Sequence, residues 1–121
     1  MATYNQTTAI TNGIRQAYRG DPVKKQCLVN SIHPTIKGPR GGAYCVCNEC
    51  REAFPMKEVQ VDHIMPVIPI NQTIHELGWN EYISRLFCLL INLQVLCKPC
   101  HKKKCALEND ARFDYKSSSK L

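Results

Sequence analysis

No stretch of this 121-residue sequence approaches the ~20 consecutive apolar residues that a membrane-spanning helix needs. The first residues, MATYNQTTAI, lack the basic patch followed by an apolar segment that marks a secretory leader. The expected setting is therefore a soluble chain in a reducing cytoplasm, where the sequons at Asn5 and Asn71 are chance matches. No internal repeat is present, which removes solenoids and other arrays. Acidic residues are scarce at both ends. Residues 1–46 carry six Lys/Arg against Asp21 alone, net +5, and residues 101–121 carry six against three acids, net +3. The centre, residues 47–100, carries four against six, net −2, so the three segments give the chain its +6. Basic flanks around a slightly acidic centre suit a polyanion held over a cation site. The length allows one small domain with a limited core.

Cysteine is the residue the chain has in excess, with eight. Two Cys-x-x-Cys pairs, Cys47/Cys50 and Cys97/Cys100, have the spacing at which both sulfurs of one turn reach a single ion, so together they predict one tetrahedral zinc site. Structural zinc supplies on the order of 10 kcal/mol of folding free energy, comparable to a small domain's whole stability. Cys45 competes as a looser partner of Cys50 or flanks the site. Cys27, Cys88 and Cys105 have no partner at useful spacing and read as small buried hydrophobes. A thioredoxin-like redox motif is disfavoured because no βαβ pattern surrounds either pair. A zinc deaminase is disfavoured because His75-Glu76 does not form His-x-Glu.

The patterning predicts an α+β fold. Ile10, Ile14, Ala17 and Tyr18 give a helix over Thr8 to Arg19, and Asp21-Pro22 caps a second helix reaching about Ser31. His33-Pro34 ends it. A basic loop, Lys37 to Gly42 with Arg40, either lies along a phosphate backbone or simply links elements. The first cysteine pair falls in a turn between short strands within Tyr44 to Phe54. Val59 to Val61 alternates as a strand that ends at Asp62-His63. Pro66 and Pro69 open a loop, and Trp79, Tyr82, Ile83, Leu86, Phe87 and Leu90 form a helical core stripe over 79–90. Asn92 to Leu96 is a second short strand. Pro99 starts a helix running to about Arg112, followed by a disordered basic tail. The expected units are a basic helical arm and loop over 1–43, a zinc-bearing domain over 44–113, and the tail over 114–121.

Between the cysteine pairs lies Asp62-His63, and the second pair runs into His101. Phosphodiester hydrolysis needs an activated water and neutralisation of charge on phosphate and leaving group. A neutral histidine takes the water's proton, and a divalent ion handles the charge. Adjacent residues at a strand end point to opposite sides, so one of the Asp62-His63 pair can face a metal and the other the water. His101, fixed at a helix start, can share that metal with Asp62. Any one histidine alone would be unremarkable, and His33 and His75 read as bystanders.

The run Val61-Asp-His-Ile-Met-Pro66, then Asn92-Leu-Gln-Val-Leu-Cys-Lys-Pro-Cys-His101 and Lys104, resembles the HNH (His-Me finger, ββα-metal) endonucleases, in particular the small zinc-knuckle type of bacteriophages. The resemblance covers about residues 44–107, with a longer stretch between the motif halves than in minimal members. It implies a zinc-stabilised ββα-metal core with N-terminal helices and an inserted helix. It implies that His63 is the general base and that Asn92 braces the loop and orients that base, or binds metal. His101 would be the metal ligand with Asp62 beside it, and Lys104 would lie near phosphate. The implied activity is DNA cleavage with Mg²⁺, or Mn²⁺ or Ni²⁺, giving 5′-phosphate and 3′-hydroxyl ends. Arg15, Arg19, Lys37 and Arg40, with Lys102 and Lys103 beside Lys104, are the expected contacts to the DNA backbone. A homodimer or a phage partner protein is an expected associate, and a phage-encoded chain would work in the host cytoplasm. The rival expectations are a zinc-stabilised nucleic-acid-binding module without catalysis and a partner-dependent packaging or homing nuclease.

Overall fold

The computed structural model describes residues 5–119 and has an α+β architecture. Helix α1 spans Gln6–Tyr18 and starts where the Asn5 side chain accepts the Thr8 N–H at 3.0 Å. Helix α2 spans Pro22–Asn30, capped by Asp21, whose carboxylate accepts the Val23 N–H at 3.2 Å. Strands β1 (Ile32–Lys37), β2 (Ala43–Val46) and β3 (Ala53–Pro55) make an antiparallel sheet in the order β1-β2-β3. Strands β4 (Val59–His63) and β5 (Leu93–Cys97) make a separate antiparallel ribbon, pairing Val61 with Val95, Asp62 with Gln94 and His63 with Leu93. Helices α3 (Ile74–Leu77) and α4 (Trp79–Leu86) fill the connection, and α5 (Lys98–Ser119) leaves β5 without a loop. Among the described residues no helix is long and apolar enough to cross a membrane.

Three local expectations are corrected, and a fourth gains detail. Helix α2 ends before His33-Pro34 as expected, but the dipeptide is not loop: it lies inside β1, an edge strand where a proline's missing N–H need not cost a ladder bond. The basic loop links elements, as one of its two expected roles had it: it is the β1–β2 hairpin connection, closed by the Gly41 N–H on the Gly38 carbonyl at 2.9 Å with Gly41 at φ 77°. The helix expected over 79–90 stops at Leu86. Tyr82 and Leu86 of its stripe are core, whereas Ile83, Phe87 and Leu90 are exposed. The helix expected to stop near Arg112 continues to Ser119, because nothing between Cys100 and Ser119 is glycine or proline and Arg112 is anchored. The rest of the expected tail, Lys120 and Leu121, lies outside the described residues.

Three small apolar clusters hold these elements. Cys27 of α2 packs with Cys45, Val59, Leu93 and Val95, and so seats the second helix on one face of the ribbon. Tyr18 of α1 packs with Tyr82 and Leu86 of α4. Cys47, Leu96 and Cys97 form the third, with Phe54 and Cys100 against it. The N-terminal helices are thus part of the core rather than an appended arm.

Candidate metal centre and catalytic cleft

Cys47 and Cys50 sit on the turn after β2, Cys97 ends β5, and Cys100 lies in the first turn of α5. The turn is tight: the Arg51 N–H reaches the Cys47 carbonyl at 3.0 Å, and Arg51 takes the left-handed conformation at φ 64°. All four sulfurs lie within 4.8 Å of one another. The Cys50 and Cys97 sulfurs are 3.9 Å apart, against about 3.8 Å for the edge of a tetrahedron with 2.3 Å metal–sulfur bonds. These four residues therefore fit one metal ion, and zinc is compatible with the donor set. Burial works against a thiolate at Cys47, but hydrogen bonds from the backbone at Cys97, Cys50 and Glu49 overcome it and lower its pKa to about 6. Cys100 is pushed up to about 12, first by its hydrogen bond with Cys97 and then by burial. Cys45 is excluded from the cluster, because its thiol faces the Leu28 carbonyl at 3.9 Å in the first apolar core. Cys105 is half-buried rather than core, its sulfur 3.7 Å from His101 Nε2.

A cleft of about 390 Å³ opens at the end of the β4–β5 ribbon, and Asp62, His63, His101 and Lys104 all line it. Strand alternation sends the two neighbours apart. Asp62 turns toward α5, where its Oδ1 is 3.7 Å from His101 Nε2 and its Oδ2 is 3.1 Å from Lys104 Nζ. His63 turns toward α1 and α4, with its ring centroid 5.5 Å from that of Tyr18. His63 Nε2–H donates to the Leu86 carbonyl at 2.8 Å. That bond leaves Nδ1 as the unprotonated nitrogen of a neutral ring. The acceptor exists because α4 ends at Leu86, where Phe87 leaves helical geometry at ψ 62°.

Lys104 also donates to the His63 carbonyl at 3.0 Å and pairs with Glu108 one turn along α5. Burial works against its charge, yet the hydrogen bonds to Glu108 and Asp62 raise its pKa above the ordinary lysine value. The facing wall is basic. Arg15 of α1, Arg19 at its C-terminal cap and Lys24 of α2 line it, Lys24 lying 5.3 Å from the Tyr18 ring centroid. Arginines hold the floor loop in place: Arg85 donates to the carbonyls of Val67 and Pro66 at 2.7 and 2.8 Å, and Arg112 to those of Ile68 and Pro69 at 2.6 and 3.2 Å.

The structure thus brings together Asp62, His63, His101, Lys104, Arg15 and Arg19 of the expected residues. Asn92 does not line the cleft. Its Oδ1 accepts the Met65 N–H at 3.0 Å and its carbonyl accepts the Ile64 N–H at 2.8 Å, so it ties down the segment directly after His63. Both bonds go to the backbone that follows β4. Lys37 and Arg40 sit at the β1–β2 hairpin, and Lys102 and Lys103 are exposed on α5; none of the four lines the cleft. His75 is exposed on α3, away from it. Sequence reasoning missed Lys24, Tyr18, Glu108 and Gln94. Only Gln94 left a signal, by standing opposite Asp62 once the two strands are paired. Comparison with family models, curated proteins and solved structures gave no match.

Proposed function

We propose that the protein is a metal-dependent DNA endonuclease with a ββα-metal site, the reading its resemblance to HNH enzymes implies. The observation that carries it is the meeting of His63 and the Asp62–His101 pair in one basic cleft. Two donors each about 2.1 Å from one ion stand between about 3.0 and 4.2 Å apart. The 3.7 Å between Asp62 Oδ1 and His101 Nε2 falls inside that range. The antiparallel ribbon running straight into α5 is the element order such a site requires.

In this reading His63, held by the Leu86 carbonyl, takes a proton on Nδ1 from a water that attacks phosphorus in line. Arg15, Arg19 and Lys24 hold the flanking phosphates against the wall opposite α5. Asp62 and His101 would hold a divalent ion such as Mg²⁺ or Mn²⁺, which would supply charge neutralisation at the phosphate and the departing 3′ oxygen. The products are 5′-phosphate and 3′-hydroxyl ends. The test is nicking of supercoiled plasmid with Mg²⁺ and with EDTA. Nicks should form only with the ion, and His63→Ala should lower turnover by about 10²–10⁴-fold while a mobility shift of the plasmid persists. A shift without nicks in the unmodified protein would establish binding without catalysis instead.

A further inference from the structure

A continuous hydrogen-bond path links the cysteine knuckle to the cleft. Asn48, between Cys47 and Cys50, is pinned by its N–H to the Val95 carbonyl at 2.8 Å. Its side-chain Nδ2 donates to Gln94 Oε1 at 2.8 Å, and Gln94 Nε2 donates to Asp62 Oδ2 at 3.2 Å. The direction of this chain is forced. An ionised carboxylate only accepts, so Gln94 must turn its amide nitrogen to Asp62 and its oxygen to Asn48, which must then donate. The register of the ribbon sets it up, because Gln94 stands directly opposite Asp62 on the same face.

The path has a chemical result at Asp62. Oδ2 is taken by Gln94 and Lys104, so the carboxylate cannot rotate freely, and Oδ1 is the oxygen left facing His101. We propose that Gln94, oriented by Asn48 of the zinc knuckle, is a positioning residue that aims Asp62 Oδ1 at the divalent ion shared with His101. This inference rests on the reading of Asp62 and His101 as ligands. It adds that the four-cysteine centre tunes the affinity of the second ion through two amides. The general pattern is an outer hydrogen bond that fixes a ligand's orientation, and its loss typically lowers metal affinity 10- to 100-fold.

Mn²⁺ binding to the zinc-loaded full chain, followed by electron paramagnetic resonance without DNA, tests this separately from cleavage. Asp62→Asn should abolish the Mn²⁺ site. Gln94→Met, close to glutamine in shape but with no amide, should weaken Mn²⁺ binding by about 10- to 100-fold at unchanged zinc content and melting temperature. In cleavage assays its loss should be recovered at high Mn²⁺. Asn48 is exposed, so Asn48→Ala carries the test if Gln94→Met does not fold; it should weaken binding by a smaller factor. Wild-type Mn²⁺ affinity in the folded Gln94 and Asn48 variants, with the site lost in Asp62→Asn, overturns the relay and leaves the nuclease reading standing. Wild-type affinity in Asp62→Asn overturns both.

Discussion

If the four-cysteine centre holds a zinc ion, removing that ion should unfold one end of the molecule outright. The apolar cluster there consists of Cys47, Leu96 and Cys97, with Phe54 and Cys100 against it. Leu96 is its one fully buried aliphatic side chain, and burying a leucine contributes about 1.5–3 kcal/mol. A four-cysteine zinc contributes about 10–16 kcal/mol. That exceeds what the cluster offers several times over and matches the roughly 5–15 kcal/mol that a domain has in total. Without the ion, the Cys47–Cys50 turn, the end of β5 and the first turn of α5 lose their common anchor, and only the Cys45, Leu93 and Val95 packing still links β2 to β5. A strong chelator under reducing conditions should therefore abolish the cooperative thermal transition. Hydrogen exchange should show protection lost across 43–55 and 93–100 before it is lost around Tyr18, Tyr82 and Leu86, which form their own cluster. Cys97→Ser should behave like the chelated protein. A zinc-free protein with an unchanged melting temperature and intact protection in β2 and β5 would refute the argument.

Tyr82 is fully buried with its hydroxyl unpartnered, so Tyr82→Phe should be neutral or stabilise the fold by up to about 2 kcal/mol in denaturant melts; a clear destabilisation would reveal a missing hydrogen bond. Burial, with the Cys88, Asp21 and Cys27 charges adding to it, raises Tyr18 to about 12. Its folded pKa lies above the unfolded value of 10.0, so the stability it contributes is complete below pH 10 and is lost as pH climbs toward 12. Absorbance at 295 nm should show a late-titrating tyrosine component that Tyr18→Phe removes. If Arg15 and Arg19 each contact a phosphate, the double alanine variant should lower the slope of log affinity against log salt by about 2, and an unchanged slope would remove them from the interface.

What was legible in the sequence is what lies close together along it or repeats with a fixed period. The two Cys-x-x-Cys pairs, the end of β4 at Asp62-His63 and the Asp21-Pro22 helix start are local signals, and each sits where its spacing puts it. Strand β1 was hidden because Pro34 reads as a stop, and only its position at the sheet edge makes the proline tolerable. The grouping of basic residues was not legible. Lys24 reaches the cleft while Lys37 and Arg40 do not, and that depends on how α1 and α2 dock through Tyr18 and Cys27. The partner of His63 was equally hidden, because it is a backbone carbonyl that becomes free only where α4 stops.

The separation of the ribbon's two strands has a kinetic consequence. His63 pairs with Leu93, which lies 30 positions later, and the ribbon gains nothing until that loop has closed. Helices α3 and α4 occupy the interval and can form locally, α3 behind the capping box of Thr73 and Glu76, so they shorten the floppy length to be closed. Substitutions in α3 should therefore slow folding more than they speed unfolding. The stretch that sets the two motif halves so far apart is, on this view, the scaffold on which they find each other.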